Sequence, residues 1–322
     1  MKEIIENISD MVGQAIFMGT PQFAAVILES LLRSPCQVAA VYTQPDRPMG
    51  RSRQVAWSPV KRLATEHKIP VIQPESLKSM EAIEELASFK PELIIVAAFG
   101  HIISQEILSL PKFGCLNVHP SLLPQHRGPS PIASALLRGD QLTGVTIMLM
   151  DEGMDSGPIL AQREVKISFE DTTGSLMQKL AEIGAELLLD TLGLWLEGKL
   201  KPQAQDETQA TYSKLITSKD GKLDWHLPAV ELWHQIRAFN PWPGCYTWWR
   251  GKRLKIHEAV SLSKAGNGEV GKVIALQQPV SVGVVTGKGI LELRQIQLEG
   301  KRQMGGGEFV RGQRSFIGSI LG

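Results

Sequence analysis

Residues 114–131 read GCLNVHPSLLPQHRGPSP. A short apolar run turns polar at Asn117 and His119, then passes into a loop with prolines at 120, 124, 129 and 131. The pattern predicts a β-strand ending near His119. Period-2 spacing puts Asn117 and His119 on one face of it, near the carboxyl end. In open α/β sheets, ligands bind outside the carboxyl ends of the strands. An amide donor beside a titratable imidazole at such an end is a candidate polar centre for group transfer. The plainer alternative is a pair that only stabilises the loop.

The flanking sequence supplies the sheet. Residues 15–18 (AIFM) predict a buried strand, followed by Gly19-Thr20-Pro21 and a helix with Phe23, Val26, Ile27, Leu28 and Leu31 on its inner side. Residues 38–42 (VAAVY) predict a second strand. The run 93–99 (LIIVAAF) is continuously apolar, as strands buried on both faces are. Strand, glycine turn and helix in this order open a doubly wound α/β fold. The turn is not GxGxxG, so the signal for nucleotide binding is weak. After residues 144–150 (GVTIMLM) comes DEGMDSGP, with Asp151, Glu152 and Asp155. It lacks EF-hand spacing and reads as a turn presenting backbone groups and one carboxylate to a ligand. As a plain turn former, Asp155 has no further role. A long helix is expected from Thr172 or Thr173 to about Leu196.

The 322 residues favour two domains. Residues 1–14 read as an N-terminal extension, 15–196 as the α/β domain, and 197–209 as a polar linker. Residues 210–322 read as a second domain, with five or so short strands in a small OB-like barrel. Net charge is +1, split as −6 over residues 1–206 and +7 over 207–322. A basic carboxyl half suits a polyanionic partner, or is simply a solvated charged surface. The long loop at 43–58 holds Arg47, Arg51 and Arg53 against Asp46 and could grip phosphates. With 43% apolar and 21% charged residues, the chain reads as globular and soluble. Cys36, Cys115 and Cys245 lack metal-ligand or disulfide spacing, which favours a reducing, cytoplasmic setting with no metal. No apolar run reaches membrane-span length, and no membrane partner is expected.

Longer motifs then become specific. FMGTPQFA at 17–24, TQPDRPMGR at 43–51, NVHPSLLPQHRGPSPI at 117–132, GVTIMLMDEGMDSGPIL at 144–160, QDETQATYSKLI at 205–216 and IRAFNPWPG at 236–244 resemble the methionyl-tRNA formyltransferase family over nearly the whole chain. The resemblance implies a Rossmann-like formyltransferase domain followed by an OB-like β-barrel. It implies a catalytic trio of Asn117, His119 and Asp155 and a folate-contacting segment at Ser121, Leu122, Leu123 and Pro124. It implies transfer of a formyl group from 10-formyltetrahydrofolate to methionyl initiator tRNA, a step of translation initiation. Arg51, Arg53, Lys252 and Arg253 are candidate tRNA contacts, and a monomer is expected. One departure stands out: the family often carries a more basic run after the GR of the insertion loop, where this chain has SRQ at 52–54.

The expected chemistry is attack of a neutral amine on a formyl carbon, with Asn117 donating to the oxyanion. His119 would stabilise that oxyanion or move a proton, and Asp155 would pair with His119 and favour its protonated form. No nucleophilic Ser or Cys is evident, so direct transfer is expected. The nearest rival is an enzyme formylating a sugar nucleotide or a ribonucleotide amine. A non-catalytic nucleic-acid binder and a nucleotide-dependent dehydrogenase are more distant alternatives.

Overall fold

The computed structural model describes residues 13–49, 54–264, 266, 268–276 and 281–322. Residues 1–12 of the expected extension lie outside them, as do Arg51 and Arg53. The chain forms two compact units. The first comprises Met1–Pro131, Leu142–Ile167 and Met177–Ser213; the second comprises Ile132–Gln141, Ser168–Leu176 and Lys214–Gly322. Residues 197–209, expected as a linker, fall within the first.

The first unit is built on a seven-stranded sheet. Its strands are β1 (Ala15–Gly19), β2 (Val38–Tyr42), β5 (Val71–Ile72), β6 (Leu93–Ala97), β7 (Cys115–His119), β8 (Leu142–Leu149) and β9 (Ile159–Lys166). Their spatial order is β5-β2-β1-β6-β7-β8-β9. Pairing is parallel from β5 to β7 and antiparallel from β7 to β9. Every residue of β1, β6 and β7 is buried, as apolar runs covered on both faces should be. The winding reverses between β1 and β6, the switch point at whose carboxyl ends open α/β sheets take ligands. Thr20, Phe99 and Gln44 meet there: Gln44 Nε2 donates to the Phe99 carbonyl at 3.2 Å.

Gly19 closes β1 because nothing larger fits. A Cβ there would lie 2.6 Å from the Ala24 Cβ and 2.8 Å from the Ala97 carbonyl oxygen. Within the 43–58 loop, β3 (Arg47–Met49) and β4 (Gln54–Ala56) pair as a short antiparallel ribbon. Helix α1 (Gln22–Leu32) buries Phe23, Ala24, Ala25, Ile27, Leu28 and Leu31; Val26, expected on that inner side, is only half-buried, and two alanines share the buried face in its place.

The second unit carries an antiparallel sheet. Its strands are β10 (Cys245–Trp249), β11 (Lys252–Leu262), β12 (Val273–Leu276), β13 (Ser281–Val285) and β14 (Ile290–Leu298). They run in the order β10-β11-β14-β13-β12, and β15 (Met304–Gly305) pairs with β14. Trp249, Phe309 and Phe316 pack edge to face beside it, with ring centroids 4.9–5.7 Å apart.

Gly19→Ala is expected to destabilise the protein by roughly 1–3 kcal/mol through overpacking against backbone. Urea unfolding midpoints of the two proteins measure this; equal midpoints would contradict the packing account.

Candidate active site

Asn117 and His119 project from the same face of β7. They sit opposite Met148 and Thr146 of β8 in register, and both are buried, at 8% and 4% exposure. Asp155 reaches them from the loop between β8 and β9. Its Oδ1 accepts from Asn117 Nδ2 at 3.2 Å, and its Oδ2 accepts from the Gly128 backbone N–H at 2.7 Å. The same Oδ2 lies 3.7 Å from His119 Nδ1. The other ring nitrogen, Nε2, lies 3.2 Å from the His126 carbonyl oxygen. Asp155 has φ +52° and Gly128 φ +101°. Glycine meets the second requirement freely, while aspartate tolerates the first at a cost of roughly 1 kcal/mol.

Burial dominates the electrostatics of His119. It pushes the imidazole pKa below its ordinary value, against the opposing pull of the Asp155 charge and the His126 carbonyl. The resting imidazole is therefore neutral at neutral pH, whereas the sequence reading had Asp155 favouring the protonated form. Asp155 does act in that direction, but desolvation outweighs it. Both ring nitrogens nonetheless face oxygen acceptors, so a proton arriving at His119 finds a partner on either side.

The Ser121–Pro124 segment is clamped from beneath. Thr146 Oγ1 donates to the Ser121 carbonyl at 2.7 Å and accepts from Leu123 N at 3.2 Å. Gln162 Nε2 donates to the Leu123 carbonyl at 2.8 Å and to Thr146 Oγ1 at 2.9 Å. Gly144 leaves room for Leu122, whose side chain a Cβ would strike. Ser121 and Leu123 are buried, while Leu122 and Pro124 are half-buried. A cavity of about 440 Å³ borders the turn leading to Asp155, lined by Gln105, Leu108, Ser109, Met150, Asp151, Glu152 and Gly153.

The structure thus brings Asn117, His119 and Asp155 together. Of the candidate tRNA contacts, Lys252 is exposed on β11, and Arg253 lays its guanidinium over the Tyr246 ring at 3.6 Å. Sequence reasoning passed over Thr146, Gln162, Arg127 and Gln205, whose bonds hold the site's loops. The motif at 205–216 was the one available signal for Gln205.

Comparison with known proteins sets the class first. Residues 14–192 match the family described as formyl transferase, and residues 215–314 match the formyl transferase C-terminal domain. The chain is 43% identical over 297 residues to the methionyl-tRNA formyltransferase of Chloroflexus aurantiacus, covering 92% of this chain and 96% of that protein. It is 44% identical over 307 residues to that of Caldanaerobacter subterraneus subsp. tengcongensis, covering 95% and 99%. The chain belongs to the methionyl-tRNA formyltransferase family. Among solved structures, an N-formyltransferase from Helicobacter canadensis in complex with folinic acid and dTDP-3-aminofucose superposes with TM-score 0.63 at 19% identity, over 90% of this chain and 99% of its own. HypX from Aquifex aeolicus in complex with tetrahydrofolic acid gives TM-score 0.59 at 19% identity, over 92% and 46%. At those identities the likeness is one of fold.

The folded protein holds His119 neutral where the unfolded chain would begin to protonate it. Stability is therefore expected to fall as pH drops through the ordinary imidazole range, until the folded state is protonated too. Imidazole resonances assigned with His119→Gln should titrate below that range in the native protein. A midpoint at or above it would contradict the burial account.

Proposed function

We propose that this protein transfers the formyl group of 10-formyltetrahydrofolate to the amino group of methionine esterified to initiator tRNA. The observation that carries the reading is the convergence of an amide, an imidazole and a carboxylate at one carboxyl edge of a formyl transferase sheet. The 42–45% identity to methionyl-tRNA formyltransferases over more than nine-tenths of the chain supports the choice of acceptor.

The folate supplies the formyl carbonyl carbon. Leu122, Pro124 and the Ala98–Gly100 strand exit would wall it, and the cavity beside the Asp151–Gly153 turn adds Leu108 and Met150 among polar Gln105, Ser109 and the acids of that turn. A bond forms between the amine nitrogen and the formyl carbon, and the bond from that carbon to the donor nitrogen breaks. One amine proton must travel to the departing nitrogen. Asp155 Oδ1 occupies one N–H of the Asn117 amide, leaving the second aimed by that bond to donate to the developing oxyanion. His119, neutral at rest, takes the amine proton, directly or through a water. The resulting imidazolium is held between the His126 carbonyl and Asp155, and passes the proton on to the leaving nitrogen. The second unit, as an OB-like barrel, would meet the polyanion with Lys252 and Arg253, joined by Arg51 and Arg53 from the insertion loop.

Asn117→Ala is expected to lower turnover about 10²–10³-fold with folding intact, the usual worth of one oxyanion donor. The assay combines purified protein, charged initiator tRNA and formyl donor, with product detection by mass spectrometry. Turnover equal to wild type would remove the oxyanion role; absence of any formylated product with the wild-type protein would remove the proposal. Binding of initiator tRNA should also weaken steeply between low and moderate salt, as counterions released from phosphates require. A flat salt response would argue against phosphate contacts as the main grip.

A further inference from the structure

Gln205 ties together the two loops that support the trio. Its Nε2 donates to the Asp155 carbonyl at 2.9 Å and to the Gly157 carbonyl at 2.7 Å. Its Oε1 accepts from Arg127 Nε at 3.0 Å and Nη2 at 2.8 Å. The partners fix the amide's orientation, since two carbonyls need the nitrogen and a guanidinium needs the oxygen. Arg127 is 1% exposed, and Glu207 also grips it, at 2.7 and 2.9 Å. Around it, Arg127 N donates to the Thr211 carbonyl at 2.8 Å, Ser213 N donates to the Arg127 carbonyl at 2.7 Å, and His126 N donates to Thr211 Oγ1 at 2.9 Å.

The residues held in this way are those that touch the trio. His126 presents its carbonyl to His119, and Gly128 presents its N–H to Asp155. Asp155 itself stands in the left-handed region, where a backbone that nothing restrains would relax. We infer that Gln205 is a positioning residue: it holds the Asp155 peptide in its left-handed conformation and locks it to the Arg127 loop, so that one carboxylate stays in reach of both Asn117 and His119. The inference deepens the proposed reaction and rests on the trio acting as described.

The test compares Gln205→Ala and Gln205→Glu with wild type. Gln205→Glu keeps an acceptor for Arg127 but removes both donations to the Asp155 loop. Both variants should lose about tenfold or more in kcat, with KM for tRNA and folate changed less than twofold. Because Asp155 raises the His119 pKa, its displacement should also move the His119 titration to lower pH, which lost stability alone would not do. In an Asp155→Ala background, Gln205→Ala should cost no further activity, because both changes act through one carboxylate. Wild-type kcat in Gln205→Glu, an unmoved His119 titration, additive losses in the double variant, or failure of both single variants to fold would each overturn the positioning role. Asn117→Ala and Asp155→Ala in the same assay separate the two failures: if they too are fully active, the trio reading falls, and if they alone are impaired, only Gln205's role falls.

Discussion

One carboxylate organises the carboxyl edge of the sheet. Asp155 accepts from a strand side chain and a loop backbone, and faces an imidazole, with only 18% of its side chain exposed. A charge so placed needs those donors, since each one lost leaves a desolvation cost of about 1–3 kcal/mol or more for a charged group. Satisfying it therefore constrains three separate stretches: the end of β7, the loop through Gly128, and the β8–β9 turn. The left-handed backbone at Asp155 is part of the same solution, because it aims the carboxylate back at β7 instead of out to solvent. The lesser bonds of Thr146 and Gln162 then fix the remaining freedom of the segment after His119.

How legible this was depends on the range of the interaction. Strand β7 could be read because its apolar run breaks at Asn117 and His119, and two-residue spacing alone puts those side chains on one face. β2 was read with the bounds it has, 38–42, because its β-branched and aromatic run is bounded by polar Gln37 and Thr43. The helix from Thr173 to Leu196 was legible from its capping threonine and leucine stripe. Asp155 was different: pattern alone gave a turn with three acids, and only the family resemblance chose among them. Gln205 was invisible in its role. It lies 50 residues from Asp155 and 78 from Arg127, in a stretch without hydrophobic periodicity, and side-chain bonds to backbone carbonyls leave no sequence pattern. The reading that such a polar stretch is a linker follows from its lack of bulky apolar residues. Here a buried arginine takes the place of an apolar anchor. Glu207 holds that guanidinium charged by its hydrogen bonds, raising its pKa further.

The protonation state of His119 shows why sequence and structure led to different resting pictures. Pairing an imidazole with a carboxylate argues for a cation, and at the surface that would decide the matter. Here the ring sits in a five-residue strand buried throughout, and each pKa unit of desolvation is 1.36 kcal/mol against the charged form. The Asp155 oxygen at 3.7 Å is too far for a full hydrogen bond, so its attraction recovers only part of that. A site of this kind starts neutral and able to accept a proton from an amine. Once the proton arrives, the carboxylate and the His126 carbonyl are already aimed at the two nitrogens and need little reorganisation. The same geometry that leaves the imidazolium disfavoured at rest thus makes it tolerable for the duration of a transfer, which suits the proposed role of His119 in taking and returning a proton.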